Sequence, residues 1–244
     1  MKIIPLSEGS FTVDQTKKFI PFQLGKDDLQ QRNRGSLLVE IQPFCVITRE
    51  DVIVLDTGLG FTNSRGIMQI HENLASQGIS PAEVTLVLLS HLHRDHAGGI
   101  ALEGKQDLSF PNARYYIHRK EWEYAFEKGA PSYYTHDFSL LEHSDQLEFT
   151  QGDEGRINEN ITYILTGGHC PFHQAFMIEQ DGEKIFFGGD VAPQLMQLKN
   201  RFKAKYDQDG NRAMELRMEW KTKGEKEHWT FLFYHDIKQP FFKF

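Results

Sequence analysis

Cysteine is almost missing from this chain of 244 residues: Cys45 and Cys170 are the only two. Two thiols cannot make the disulfide framework of a small secreted scaffold, and they fit a reducing compartment. Long apolar runs are missing as well. None approaches the roughly 20 residues that a membrane-spanning helix needs. The opening MKIIPLSEGSFTVD carries Lys2 without the sustained apolar core of a secretory leader. Positive charge is in deficit. Lys and Arg number 27 against 34 Asp and Glu, a net charge of −7, so the chain as a whole offers no basic field to nucleic acid or to an anionic membrane. Low-complexity linkers and short-period repeats are not found either. The expectation is a cytoplasmic protein folded as one domain over residues 1–244, monomeric or homodimeric.

What is present is enough for a core: 39% of residues are hydrophobic and 25% charged. The 19 phenylalanines suit that core first, with an aromatic-lined pocket as the other use. Residues 36–41 (SLLVEI), 44–48 (FCVIT) and 51–56 (DVIVLD) are β-rich and separated by turn residues, which predicts an antiparallel meander. A Gly-rich loop, DTGLG at 56–60, follows. Ile67, Met68, Ile70 and Leu74 recur at helical spacing and predict a helix over 64–77, closed by Gly78. Residues 84–90 are apolar almost throughout, as in a strand buried on both faces. A strand at 113–118 and a helix over RKEWEYAFEKG come next. Segments 161–169, 174–180 and 184–190 read as strands, with Asp181-Gly182 as a hairpin turn. An amphipathic helix at 210–220 and a strand at 229–236 complete the pattern. Strands and helices alternate in two blocks, so the class is α/β. A four-layer αββα sandwich accommodates the order, with polar residues leaving strand ends along one edge.

One segment departs from ordinary surface composition. In LVLLSHLHRDHAGG (86–99) an apolar run ends abruptly in His91, His93, Asp95 and His96. A lone histidine is usually a packing residue. Three imidazoles and a carboxylate crowded together carry desolvation and repulsion costs unless a cation compensates, and these are the donors that Zn²⁺ prefers. Other candidate ligands also stand just past apolar strands: His169 after ITYILTGG, Asp190 after KIFFGG and His235 after TFLFY. The glycines before His169 and Asp190 allow sharp turns and close approach.

The set HLHRDH, GGHCPFH, GGD and YHD, with the earlier VLDTGLG, resembles the dinuclear metallo-β-lactamase superfamily over nearly the whole chain. The resemblance implies the αββα sandwich and two metal sites. His91, His93 and His169 would hold one ion, Asp95, His96 and His235 the other, and Asp190 would bridge them. Zn²⁺ is the first choice for such mixed N/O ligands, with iron, manganese and cobalt as alternatives. Two ions roughly 3.5–4 Å apart can share a hydroxide and clamp a substrate oxygen. Asp56 is not a ligand by this analogy. It either orients a ligand histidine or caps its own loop. Cys170 reads as a buried, inert thiol, since the ligand set is complete without it. His173 reads as structural or as support for a ligand. His71, His118, His136, His143 and His228 lack the glycine-turn context and read as solvated or packing residues. Trp122, Tyr133 and Tyr134 fit either an insert near the pocket or the core.

Within the superfamily, only nine residues follow His235 (244 − 235 = 9), which leaves no room for the C-terminal helices of glyoxalase-type thioesterases. RNA-processing members carry inserted domains, flavodiiron reductases vary the first motif, and true β-lactamases generally lack the carboxylate at Asp190. The segments FIPFQLGKDDLQQRNRGSLLVE and FFGGDVAPQLMQLKNRFKAKYDQD are similar to those of quorum-quenching lactonases and methyl parathion hydrolase. In some lactonases a tyrosine three residues beyond the bridging Asp reaches the substrate carbonyl; here Pro193 stands at that position. Polarisation then falls to the metals or to another residue such as Tyr206. The resemblance implies a hydrolase in which a metal-bridging hydroxide opens an ester-like bond, first among them a lactone such as an N-acyl homoserine lactone. Asp95 would protonate the leaving alkoxide. Alternatives are a phosphotriester or aryl ester hydrolase, an iron enzyme such as a persulfide dioxygenase, and a non-enzymatic metal-stabilised scaffold. The open, two-site ligand set argues against the scaffold, since structural zinc sites are closed and mononuclear.

Overall fold

The computed structural model describes residues 1–102, 104 and 106–244. One six-stranded sheet runs β1 (Lys2–Pro5), β5 (Phe44–Ile47), β6 (Val52–Leu55), β7 (Leu86–Leu88), β8 (Arg114–His118) and β9 (Leu147–Thr150). The other runs β10 (Glu154–Arg156), β11 (Ile161–Leu165), β12 (Gln174–Gln180), β13 (Glu183–Phe187), β14 (Thr230–Leu232) and β15 (Phe241–Lys243). A small sheet, β3 (Phe19–Pro21), β2 (Gly9–Val13) and β4 (Leu37–Ile41), stands beside them. The helices are α1 (Gln69–Ser76), α2 (Arg94–Ala97), α3 (Arg119–Lys128), α4 (Leu195–Lys199) and α5 (Gly210–Glu227). Among the described residues no helix is long and apolar enough to cross a membrane.

The two-residue period of the strands makes three apolar layers. Ile53 and Leu55 of β6, with Leu86 and Leu88 of β7, meet Phe176, Ile178, Ile185 and Phe187 between the two large sheets. Their neighbours Val54 and Val87 face the other way, onto Ile70 and Leu74 of α1 and Trp122 of α3. Phe186, on the far side of the second sheet, packs on Leu216 and Trp220 of α5. The outcome is the helix–sheet–sheet–helix sandwich expected from the alternation.

Several boundaries differ from the sequence reading. The first three strands are not one meander: β4 pairs with β2, whereas β5 pairs with β1 and β6. The chain changes sheets at Gln42-Pro43, where proline supplies no ladder donor. The helix expected over 64–77 begins only at Gln69, because Asn63 Oδ1 accepts from the amides of Arg65 and Ile67 and folds 63–67 into a turn. The strand at 84–90 is ladder-paired only at Leu86–Leu88, so Ser90 and His91 are free to leave the sheet. Helix α5 runs on to Glu227, and β14 stops at Leu232, freeing His235. Asp181 and Gly182 both have positive φ, as the expected hairpin turn requires.

The DTGLG loop is the platform beneath the histidine motif. The buried Glu8 carboxylate accepts from Leu59 N at 2.6 Å and Phe61 N at 2.8 Å. Thr57 N donates to His96 O at 2.7 Å, and a Cβ on Gly99 would collide with the Thr57 carbonyl. The loop and the motif therefore touch backbone to backbone, which only glycine permits.

Burial pushes the Glu8 carboxyl up to about 7 from 4.5, against its backbone donors. The folded chain holds this proton more tightly than the unfolded one. Its contribution to stability is therefore complete below about pH 4.5 and is lost as the pH rises through 7. Denaturant unfolding between pH 5 and 8 should show the parent losing stability relative to Glu8→Gln as pH rises, by at most ~1.4 kcal/mol per pH unit. Parallel curves for the two proteins would remove Glu8 from this role.

Candidate metal centre

All seven residues singled out as ligands converge at one edge of the sandwich. His91 and His93 lie on the turn after β7, and Asp95 and His96 lie in α2, the single helical turn that follows. His169 follows β11, Asp190 follows β13 and His235 follows β14. The ligand atoms fall into three overlapping sets, His91–His93–His169, His91–His96–Asp190 and Asp95–His96–His235, with all atoms of a set within 4.8 Å of one another. His93 Nδ1 is 2.9 Å from His91 Nε2 and 3.0 Å from His169 Nε2. Asp190 spans both ends. Its Oδ2 is 3.3 Å from His169 Nε2, while Oδ1 is 3.0 Å from His235 Nε2 and 3.2 Å from His96 Nε2. Asp95 Oδ2 lies 3.6 Å from His235 Nε2 and 3.8 Å from His96 Nε2.

The far side of each ring decides what faces inward. His96 Nδ1 is 2.7 Å from Asp56 Oδ2, and His169 Nδ1 is 3.1 Å from Asp207 Oδ1. His235 Nδ1 is 2.7 Å from the carbonyl oxygen of Glu40. Each of these acceptors requires the hydrogen on Nδ1, which leaves a lone pair on Nε2. Ser90 Oγ donates to Asp56 and so accepts from His91 Nδ1 at 3.0 Å, with the same result. Four Nε2 lone pairs therefore point at one another or at carboxylates. His96 Nε2 and Asp190 Oδ1 are buried without a hydrogen-bond partner. Such an arrangement is repulsive unless cations sit among the donors, so the residues fit a divalent metal.

Charge tells the same story. Burial, with His96 and His93 beside it, holds His91 well below its usual range, in the neutral form that ligates. Against the effect of burial, Asp190, Asp95 and Asp56 pull His96 up, and Asp190 does the same to His235. That end of the site calls for positive charge.

The supports are specific. Asp56 adopts φ +56° and accepts from Ser90 N at 2.6 Å, from Ser90 Oγ and from His96, so it orients a candidate ligand. His173 accepts from Asp190 N at 3.1 Å, and a Cβ on Gly189 would strike its ring. Cys170 is buried with its thiol turned to Glu121 at 3.6 Å, and burial pushes its pKa well up. His118 caps α3 and contacts Gly152 O; His71 packs on Phe110; His136, His143 and His228 are exposed. Trp122 belongs to the core, Tyr133 packs 4.8 Å from the His93 ring, and Tyr134 lies under Arg94.

Four supports escaped the sequence reading. Glu121 accepts from Leu92 N at 3.1 Å and faces Cys170, so one carboxylate ties the His91–His93 turn to the His169 turn. Asp207 holds His169, and Tyr234 stacks on His96 and donates to Asp95 O at 2.6 Å. Arg217, buried in α5, donates to the carbonyls of Val191 and Phe202. Only Tyr234 carried a signal, its place directly before His235; the others sit in segments that read as plain helix or loop.

A cavity of 190 Å³ opens over the centre. Val13, Phe19, Leu37 and Val39 of the small sheet give it an apolar wall, and Phe202 and Tyr206 also line it. Pro193 does not: its carbonyl accepts from His235 N at 3.0 Å. Tyr206 presents a hydroxyl that accepts from Gln197 Nε2 at 3.0 Å and keeps its own proton to give.

Asp56→Asn would turn an amide donor toward His96 Nδ1 and disturb its tautomer. Metal affinity, measured by competition with a chromogenic chelator, should fall about 10–100-fold while the far-ultraviolet dichroism stays native. Unchanged affinity would mean that Asp56 serves only its loop.

Residues 40–235 match the family model described as the metallo-beta-lactamase superfamily. An N-acyl homoserine lactonase, AttM, of Agrobacterium fabrum is 31% identical over 122 residues, which is 46% of this chain and 43% of the relative's length. The matched stretch thus spans less than half of that relative. A probable metal-dependent hydrolase from Staphylococcus aureus superposes with TM-score 0.81 at 20% identity, covering 99% of this chain and 91% of that one. The dizinc quorum-quenching lactonase AidC, solved with a product bound, gives TM-score 0.75 at 19% identity, covering 98% and 88%. With the family model spanning four-fifths of its length and the sandwich and donor cluster in place, the chain belongs to the metallo-β-lactamase superfamily.

Proposed function

We propose that this chain is a dinuclear metal-dependent hydrolase that opens an ester-like bond, and that its substrate is a lactone of the N-acyl homoserine lactone type. The observation that carries the reading is Asp190. Its two oxygens face different groups of imidazoles, His169 on one side and His96 and His235 on the other. A carboxylate so placed suits two cations and offsets their repulsion. In this reading His91, His93 and His169 hold one ion, Asp95, His96 and His235 the other, and Asp190 both; Zn²⁺ suits these donors best. Two such ions supply a hydroxide nucleophile at neutral pH and a Lewis acid for the developing oxyanion.

The remaining work falls to the chain's own groups. The apolar wall of Val13, Phe19 and Leu37 binds the acyl tail and excludes water from the reacting bond. The Tyr206 hydroxyl donates to the substrate carbonyl oxygen, the task that Pro193 cannot perform. Asp95 reaches the cavity and would take the proton from the newly added hydroxyl of the tetrahedral adduct and pass it to the leaving alkoxide oxygen, ending ionised as it began. His173, through the Asp190 amide, keeps the spanning carboxylate in register. The lactonase name of the curated relative supports this choice of substrate.

Elemental analysis should find two metals per chain. A panel of lactones, phosphotriesters, aryl esters and thioesters should show lactone opening, and turnover of phosphotriesters alone would replace the lactonase reading with another hydrolase. Asp190→Asn keeps the shape and loses the charge. It should release the Asp95–His96–His235 ion before the other and lower turnover at least about a hundredfold, with little change in melting temperature. An Asn variant with two metals and parent rates would undo the assignment.

A further inference from the structure

Among the described residues, two cations line the cavity without anion partners. Arg94 stands between His93 and Asp95 in the motif, and Lys17 stands in the turn between β2 and β3. The Arg94 guanidinium lies over the Tyr134 ring at 4.5 Å, and its Nε is buried with no hydrogen-bond partner. Arg94 N donates to Ser132 O at 3.0 Å, so the backbone behind it is fixed. Among the described residues neither Arg94 nor Lys17 forms an ion pair. Lys17 also lines a second cleft that shares His93, His169, Ser132 and Tyr206 with the first, so it stands where the two clefts meet.

In a chain of net charge −7, cations left free beside a metal centre need an explanation. The two carboxylates that line the cavity, Asp95 and Asp190, both face the imidazoles of the centre. Two divalent ions would more than neutralise them, leaving nothing in the cavity to balance Arg94 and Lys17. A guanidinium carries its N–H donors in a planar fork, and that fork matches a carboxylate in a two-pronged hydrogen-bonded pair. A neutral amide carbonyl would satisfy only one N–H and none of the charge.

We propose that Arg94 and Lys17 form an anion subsite and that, within the ester and lactone class proposed above, the favoured members bear a carboxylate away from the bond to be cleaved, so that a plain N-acyl homoserine lactone, which is neutral, leaves this subsite unfilled. The ester half of this statement rests on the hydrolase reading above. The cation pair stands on its own geometry. Arg94, seated over the Tyr134 ring, supplies the hydrogen-bonding fork, and Lys17 adds charge where the two clefts meet. The apolar wall still takes the carbon chain that joins the anion to the scissile group.

Hydrolysis and binding are measured on the metal-loaded protein. The hydrolysis arm compares the para-nitrophenyl monoester of glutaric acid with its methyl-capped neutral counterpart. The parent should favour the anionic ester at least about tenfold in kcat/KM. That ratio should collapse toward one in Arg94→Met, recover in part in Arg94→Lys, and shrink in Lys17→Met. The binding arm uses butanesulfonate, an anion that ligates divalent metals poorly, with butanol as the neutral control. Saturable calorimetric binding of the sulfonate, weakened at least about tenfold in Arg94→Met, is the expected result. A parent ratio within twofold of one, or equal sulfonate affinity in parent and Arg94→Met, would overturn the subsite. If no ester or lactone is hydrolysed while the sulfonate binds through Arg94, the hydrolase reading falls and the anion subsite survives. If esters are cleaved without charge preference, the reverse holds.

Discussion

Repulsion at the centre governs this structure. Four Nε2 lone pairs and two carboxylates face one another at 3–4 Å, and each imidazole is committed to that orientation by an acceptor on its far side. Asp56, Asp207, the Glu40 carbonyl and Ser90 Oγ are the parts that decide the tautomers. Without them the rings could turn their hydrogens inward and relax into an ordinary hydrogen-bonded cluster. With them, the cluster is complementary to positive charge and to little else. A metal bound among these donors would owe part of its affinity to residues that do not touch it.

Holding repelling groups together requires rigid ends. The ligands leave the sheets where ladders stop: Ser90 after β7, Thr166 after β11 and Gly188 after β13. The strands themselves are locked by the apolar layer between the sheets, so each turn starts from a fixed point. Cross-links then join the turns to one another. Glu121 connects the His91–His93 turn to the His169 turn, His173 connects the His169 turn to Asp190, and Tyr234 connects His235 to Asp95. The Glu8-pinned loop supports the same assembly from below, through backbone contacts that a Cβ at Gly99 would block.

Around this centre the small sheet contributes the cavity wall. Its three strands lie outside both large sheets, and their side chains form one wall of the space beside the donor cluster. An apolar wall, a tyrosine hydroxyl and, among the described residues, two cations without ion pairs stand around the donor cluster.

The donor cluster was legible in the sequence because candidate metal donors are particular residue types, here placed at strand ends. His91, His93, Asp95 and His96 within six residues, and glycines ahead of His169 and Asp190, are local facts. The order of strands and helices accommodated the sandwich, and the resemblance carried by the histidine motifs implied it. Three-dimensional structure alone decided the rest. Nothing near Gln42-Pro43 in the sequence says that β4 leaves for another sheet to pair with β2. Asp207 meets His169 from 38 residues away, and Glu121 reaches Cys170 across 49. A supporting carboxylate or a cavity-lining arginine has no local pattern: its role comes from what lies across the gap, and only the packed sandwich brings those groups within hydrogen-bond distance.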